Sequence, residues 1–221
     1  MYGAAQFSKD IDFLVPADAE NFDRLHTALA ELKAERIAVP PFDPAHLARD
    51  HAVHFRCAHP DADGLRVDVM TKLRGPTDFE ALWSRRFTLT AERGEVFELL
   101  NIGDLVQAKK TQRDKDWPMV SLLVETHYFA FAAEPTPERI AFWLREARTP
   151  ERLVELAGRF PEDCRKLSGE RFLLASALAG NLDGLRRELM EEELRDRQRD
   201  REYWAPLKAE MEAFRRAERA T

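Results

Sequence analysis

The sequence predicts an α+β protein in which a mixed sheet flanked by helices is followed by an all-helical region. Up to Leu99, short apolar runs follow the two-residue period of β-strands and are separated by turn-forming segments. From Ile102 onward, apolar residues recur instead at the spacing of helices. We therefore expect a core domain over residues 1–100 and a helical region over residues 101–221.

We assign the strands and helices of the first half from the spacing of apolar residues and from the positions of turn-forming residues. Pro16 ends the first strand, and Asp78 is a candidate N-cap. In chain order we expect a strand over 11–15, a helix over 17–36, a proline-rich loop over 40–44, strands over 51–57 and 65–70 joined as a hairpin, a helix over 78–86, and strands over 87–90 and 96–99.

The second half reads as a series of helices with breaks at proline and glycine. Breaks are expected around Pro135, Pro150, Pro161 and Gly180. The expected helices cover residues 102–111, 117–131, 137–148, 151–160, 170–178, 182–201 and 202–220.

Composition narrows the class of function. The chain has 221 residues and a net charge of −6, which argues against a general nucleic-acid binder. Its two cysteines, Cys57 and Cys164, stand in no disulfide or zinc pattern, and this favours a reducing, cytoplasmic setting. No apolar run is long enough to span a bilayer and no signal peptide is evident, so we expect no membrane partner.

Two aspartates, Asp10 and Asp12, alternate with Ile11 and Phe13, so both carboxylates share one face of a strand. Like charges about 4 Å apart cost on the order of 4 kcal/mol at an effective dielectric of 20, a cost that a divalent cation reverses. Asp68 stands between two valines on a later strand, and three carboxylates converge if that strand lies beside the first. This set predicts a Mg²⁺ or Mn²⁺ site, whereas two edge-strand aspartates facing solvent are the plainer interpretation.

The segment over residues 2–15 resembles the DNA polymerase β-like nucleotidyltransferase superfamily, and within it the small bacterial AbiEii/AbiGii toxin type. The resemblance matches Asp10 and Asp12 to the family's strand pair and Asp68 to its third aspartate. It implies a nucleotidyltransferase-type sheet in which these residues are catalytic and hold the metal. It also implies that Lys9, which directly precedes the pair, contacts the nucleotide.

The segment over residues 102–116 resembles the family's helix that lies against the nucleotide pocket. By this resemblance Lys109 and Arg113 face the triphosphate, and their spacing of four lets one helix face present both. An ordinary basic helix surface is the alternative interpretation.

One feature of the family is missing, because no Gly-Gly or Gly-Ser pair precedes Asp10. That pair opens a helix and lets backbone amides approach the phosphates. We therefore expect either that the N-terminal helix is truncated in this sequence or that the site is impaired, which leaves enzymatic activity open.

Three histidines, His51, His54 and His59, cluster near the expected hairpin. A zinc site would need converging ligands, and His51 and His54 would face opposite sides of a strand. We interpret all three as polar loop residues.

The leading hypothesis for function is a metal-dependent nucleotidyltransferase that moves a nucleotidyl group from an NTP to a hydroxyl acceptor. A tRNA end, a protein or a small molecule could serve as acceptor. By analogy the chain is a toxin–antitoxin or phage-defence component with an antitoxin partner. The alternative is an impaired nucleotidyltransferase fold that serves as a binding or interaction module.

Overall fold

The computed structural model describes residues 10–74 and 78–220, and these form an α+β structure, which confirms the predicted fold class. Within the described residues the strands form a four-stranded sheet and a separate two-stranded ribbon. The sheet contains β1 (Asp10–Leu14), β2 (Glu35–Arg36), β3 (Val53–Arg56) and β4 (Arg66–Met70), and the ribbon contains β5 (Phe87–Thr90) and β6 (Val96–Leu99).

Helices make up most of the remaining described residues. They are α1 (Ala19–Glu31), α2 (Pro44–Leu47), α3 (Phe79–Ser84), α4 (Ile102–Lys109), α5 (Asp116–Phe131), α6 (Pro137–Glu146), α7 (Pro150–Arg159), α8 (Pro161–Leu167), α9 (Leu173–Leu178) and α10 (Leu182–Arg219). In the described part of the chain no helix is both long and apolar enough to cross a bilayer.

The chain forms two compact units. The sheet unit comprises the described residues up to 86 together with residues 202–220, and the helical unit comprises residues 87–201. The boundary that we expected at residue 100 falls inside the helical unit, because the β5–β6 ribbon groups with the helices that follow it.

In the sheet unit the strand order is β1-β4-β3-β2, with β1 parallel to β4 and the other neighbours antiparallel. The predicted hairpin is therefore present as β3 and β4. Its inner face carries buried apolar side chains of these two strands, and α1 supplies Phe22 and Leu29 to the same core. Asp18 starts α1 by accepting a hydrogen bond from the Asn21 backbone N–H at 2.8 Å.

Helix α1 ends five residues earlier than we expected. Lys33 adopts a left-handed φ of 50°, which ends the helical turn and redirects the chain. Glu35 and Arg36 then pair with Arg56 and Phe55 of β3, so the predicted end of the helix is a short edge strand.

Three further sequence assignments are corrected by the structure. The proline-rich loop includes α2, which the Asp43 carboxylate caps. The assigned break at Pro161 is the first residue of α8, because proline's fixed φ suits the first helical turn. The two helices expected over 182–201 and 202–220 are one, α10, which continues through Pro206.

In the helical unit, the fully buried Trp143 lies in a core formed by helices α4 to α10. Its indole N–H donates to His127 Nδ1 at 2.9 Å, so the one polar atom of the ring has a partner. Burial lowers the pKa of His127, and the positive charge of Arg139 lowers it further.

The C-terminal part of α10 docks on the loop before β3 in the sheet unit. The Tyr203 hydroxyl donates to Asp50 Oδ2 at 2.8 Å, and His51 Nε2 lies 2.8 Å from Glu210 Oε2. Burial and the contact with Asp50 raise the pKa of Tyr203 to about 12. These polar contacts join residues 202–220 to the rest of the sheet unit.

Candidate functional site

The outer face of the four-stranded sheet is polar where β1 and β4 run side by side. Asp12 is the register partner of Asp68, and Asp10 is the register partner of Arg66. Register partners in a sheet point to the same side, so Asp10, Asp12 and Asp68 share one face with Arg66. The two aspartate-bearing strands are neighbours, which is the condition on which the predicted convergence of the three carboxylates depends.

The three carboxylates differ in exposure. Asp10 and Asp12 are exposed on the edge strand β1, as the plainer interpretation of this pair expected. Asp68 is buried on β4, between Val67 and Val69 on the core face. The site therefore combines one carboxylate with restricted mobility and two that reach solvent.

Arg66 forms a bidentate ion pair with Asp68, which lies two residues further along β4. Its Nε donates to Asp68 Oδ1 at 2.8 Å and its Nη2 donates to Oδ2 at 2.8 Å. The Asp68 side chain is 9% exposed and the Arg66 side chain is 41% exposed. Both carboxylate oxygens are thus occupied by a guanidinium that itself reaches solvent.

His54 approaches the same carboxylate from the neighbouring strand β3, where it is the register partner of Asp68. Its Nδ1 lies 2.8 Å from Asp68 Oδ1. The same Nδ1 lies 3.1 Å from Arg66 Nη2, so it donates to Asp68 when it carries a proton and accepts from Arg66 when it does not. His54 and Arg66 together hold Asp68 in one orientation.

The electrostatics of the cluster favour its charged form. Burial by itself raises the pKa of Asp68, but hydrogen bonds from His54 and Arg66 outweigh it, and the pKa lies below the usual value for aspartate. The hydrogen bond to Asp68 raises the pKa of Arg66, and the charges of Asp10 and Asp12 raise it further. One guanidinium thus lies in the field of all three carboxylates.

Within residues 10–74 and 78–220, no three His, Cys, Asp or Glu side chains are arranged as ligands of one metal ion. The expected donor set has the right chemistry for a hard cation, since carboxylate oxygens suit Mg²⁺ and Mn²⁺. The orientation of Asp68 is the obstacle, because Arg66 engages both of its oxygens. The residues fit the cation in kind and in strand register, but the carboxylate of Asp68 is engaged by a guanidinium.

The three histidines occupy three different settings, and the interpretation as polar loop residues holds fully for His59 alone. His59 caps the short 3-10 turn Pro60–Ala62. His54 lies on β3, and His51 is a loop residue that is buried against Glu210. A histidine next to a strand gains such partners from distant parts of the chain, which the local pattern does not reveal.

The predicted phosphate ligands are not among the described residues of the sheet unit. Lys9 is outside the described residues. Lys109 and Arg113 belong to the helical unit, where α4 ends at Lys109. Lys110 leaves the helical conformation with ψ of 69°, and Arg113 lies in the connection to α5. The prediction that one helix face presents both residues is therefore wrong.

Arg113 and its neighbours in this connection are held by hydrogen bonds to α5, to α10 and within the connection itself. Arg113 Nε donates to Asp116 Oδ2 at 2.7 Å, and the Gln112 backbone N–H donates to the buried Asp200 at 2.8 Å. The Trp117 indole N–H donates to the Thr111 carbonyl at 2.9 Å. These bonds give the polar residues of the segment a role in holding the loop.

Sequence reasoning missed Arg66 and His54. Arg66 stands two residues before Asp68, so the strand period alone places it on the same face. His54 stands between Val53 and Phe55, which both face the core, and this alternation marks it as outward-facing. The sequence thus indicated which face of its strand each side chain occupies. Only the pairing of β3 with β4 decided that His54 contacts Asp68.

Comparison of the chain with protein-family models, with curated proteins and with solved structures finds no match. The function is therefore argued from the geometry and chemistry of the polar face.

Proposed function

We propose that the polar face of the four-stranded sheet is a metal-dependent nucleotidyl-transfer site. The observation that supports this is the register of two adjacent parallel strands, which sets Asp12 beside Asp68 with Asp10 on the same face. Carboxylates crowded in this way repel one another, and a divalent cation turns the repulsion into attraction.

In this proposal Asp10, Asp12 and Asp68 hold Mg²⁺ or Mn²⁺. The bound cation would supply charge stabilisation to the phosphate oxygens of an NTP. Asp68 would complete the metal site and help to activate the acceptor hydroxyl, and hydrogen bonds from His54 and Arg66 keep its pKa low and the carboxylate ionised. The acceptor is a tRNA end, a protein hydroxyl or a small molecule. The phosphate-binding roles of Lys9, Lys109 and Arg113 stay predictions from the family resemblance.

The proposed setting is the cytoplasm, with a toxin–antitoxin or defence role and an antitoxin as partner. Both cysteines are buried free thiols, and burial raises the pKa of Cys57 and of Cys164. Such thiols are poor nucleophiles, so a reducing compartment suits the chain and cysteine chemistry is not invoked.

A second candidate is an impaired nucleotidyltransferase fold that acts as a binding module. The specific observation in its favour is that Asp68 already has two cationic or proton-donating partners, Arg66 and His54. Because Arg66 and His54 already offset the negative charge of Asp68, this carboxylate has less need of a metal ion. The two candidates differ in whether the carboxylates bind Mn²⁺.

The test is Mn²⁺ binding to the full chain, measured by calorimetry with and without a non-hydrolysable NTP. We expect the Asp10→Asn/Asp12→Asn double variant to weaken Mn²⁺ binding at least tenfold, about 1.4 kcal/mol or more. The matched control is Asp23→Asn/Glu31→Gln, which removes two exposed carboxylates from α1 and so changes the net charge equally.

Equal binding by the wild type and the Asp10/Asp12 variant would refute the cation site. Equal losses in the test and control variants would mean that the effect is general electrostatics. Mn²⁺ binding without any turnover of the four NTPs would support the binding module over the transferase.

A further inference from the structure

The guanidinium of Arg66 occupies the position on Asp68 that a cation needs. Nε and Nη2 each take one oxygen of the carboxylate at 2.8 Å. A divalent cation would bind the same lone pairs at about 2.0–2.2 Å, too close to the guanidinium for both to be held together. Two positive groups on one carboxylate would also repel each other.

We propose that Arg66 and a divalent cation alternate on Asp68, so that the cation binds only when the guanidinium leaves. This inference rests on the proposed function, because it assumes that the three carboxylates take a cation. Arg66 then sets the affinity of the site for the cation, and it offsets part of the negative charge of the carboxylates when the cation is absent.

The exposure of the two partners decides which of them moves. The Arg66 side chain is 41% exposed and long, so its head can swing into solvent. Asp68 is buried, and His54 Nδ1 holds its Oδ1 at 2.8 Å. The carboxylate stays oriented when Arg66 departs, and His54 acts as a positioning residue for it.

A matched control lies on the next strand. Arg56 of β3 is the register partner of Arg66 and therefore points from the same face of the sheet. Both Arg56 and Asp68 lie in the described part of the chain, and no hydrogen bond joins them there. Removal of Arg56 thus changes the charge of the face without releasing Asp68.

The experiment measures Mn²⁺ affinity of the full chain by calorimetry for the wild type, Arg66→Gln, Arg66→Lys and Arg56→Gln. Since the charge-assisted fork is lost, we expect Arg66→Gln to bind about tenfold more tightly than the wild type. Arg66→Lys keeps the charge but not the fork and should fall between them. Arg56→Gln should stay within about twofold, because an exposed charge outside the contact is screened.

A second measurement follows the cation response of the wild type itself, and a variant is needed only to assign the signal. The Nε–H signal of Arg66 in a nitrogen–proton NMR spectrum, assigned by its loss in Arg66→Lys, reports the bond to Asp68. Saturating Mg²⁺ should shift this signal and speed its exchange with water. A signal unchanged at saturation would overturn the alternation.

The outcomes separate this inference from the function on which it rests. Equal Mn²⁺ affinity in the wild type and Arg66→Gln, with binding lost in the Asp10/Asp12 variant, overturns the alternation and leaves the cation site standing. An equal gain in Arg66→Gln and Arg56→Gln also overturns it, since charge alone would then explain the effect. No binding to any variant, Arg66→Gln included, overturns both.

Discussion

Arg171 and Arg66 each form a two-pronged ion pair with one carboxylate, but their surroundings differ. Arg171 Nε and Nη2 bond Glu192 at 2.9 and 2.8 Å, and the head also donates to the carbonyls of Leu144 and Ala147. Its side chain is 7% exposed. Arg66 bonds both oxygens of Asp68, its Nη2 also lies 3.1 Å from His54 Nδ1, and its side chain is 41% exposed.

The difference separates a structural ion pair from an exchangeable one. Arg171 joins the end of α6 to α10, and each bond that it makes satisfies a group taken from water. A buried charge of this kind cannot leave without stranding the two carbonyls, whereas Glu192 keeps a second guanidinium partner in Arg148. Arg66 can exchange its bonds for water, because its long side chain reaches solvent.

The largest expected effect tests the structural pair. Arg171→Met should lower the free energy of unfolding by about 3 kcal/mol, because Glu192 loses a bidentate partner and two carbonyls lose their donor. Urea denaturation measures this. The control is Arg165→Met on α8, whose exposed pair with Glu162 should cost less than about 1 kcal/mol. Similar losses in the two variants would erase the distinction between buried and exposed pairs.

A smaller effect is expected at the exchangeable pair. Asp68→Asn should cost about 1–2 kcal/mol at neutral pH, since Arg66 can hydrate once the charged acceptor is gone. The folded-state pKa of Asp68 lies below its unfolded value, so its contribution is present above the unfolded pKa and is lost as pH falls through the folded pKa.

The stability difference between the wild type and Asp68→Asn should therefore shrink as the pH drops below about 4. Urea denaturation at a series of pH values measures it. A difference that stays constant across the acid range would contradict the pKa direction assigned to Asp68.

The smallest expected effect is on the contact between His54 and Asp68, and it separates the contribution of His54 from that of Arg66. His54→Leu removes the Nδ1 donor and should cost about 1 kcal/mol of unfolding free energy. His54→Asn offers a side-chain N–H near the same position and should recover part of that loss. If both substitutions cost the same, the imidazole contributes packing and Arg66 alone orients the carboxylate.

Much of the fold could be predicted because its signals are local. The strands β5 and β6 were predicted residue for residue, since the turn between them contains Gly94 at φ of 90°, a conformation that glycine tolerates. The Asp78 N-cap of α3 was also predicted, and it accepts from the Ala81 backbone N–H at 2.8 Å. Caps and turns depend on residues within four positions of each other.

The missed elements depend on distant partners. The strand β2 is two residues long and exists through its pairing with β3, so the charged pair Glu35–Arg36 carries no strand pattern of its own. The end of α4 at Lys109 was missed because the following loop is held by Asp200, far along the chain. Neither the pairing of β2 with β3 nor the bond to Asp200 can be predicted from the secondary-structure propensities of a short stretch of sequence.

The sequence by itself determined that Asp10 and Asp12 face one side of a strand and that Asp68 faces one side of another, because a strand alternates its side chains with a period of two. Only the tertiary structure decided that the two strands are parallel neighbours with Asp12 beside Asp68. It also decided that Asp68 is held by Arg66 and His54. Strand order and burial are set by the packing of the whole sheet, and burial is what makes a charged partner for Asp68 necessary.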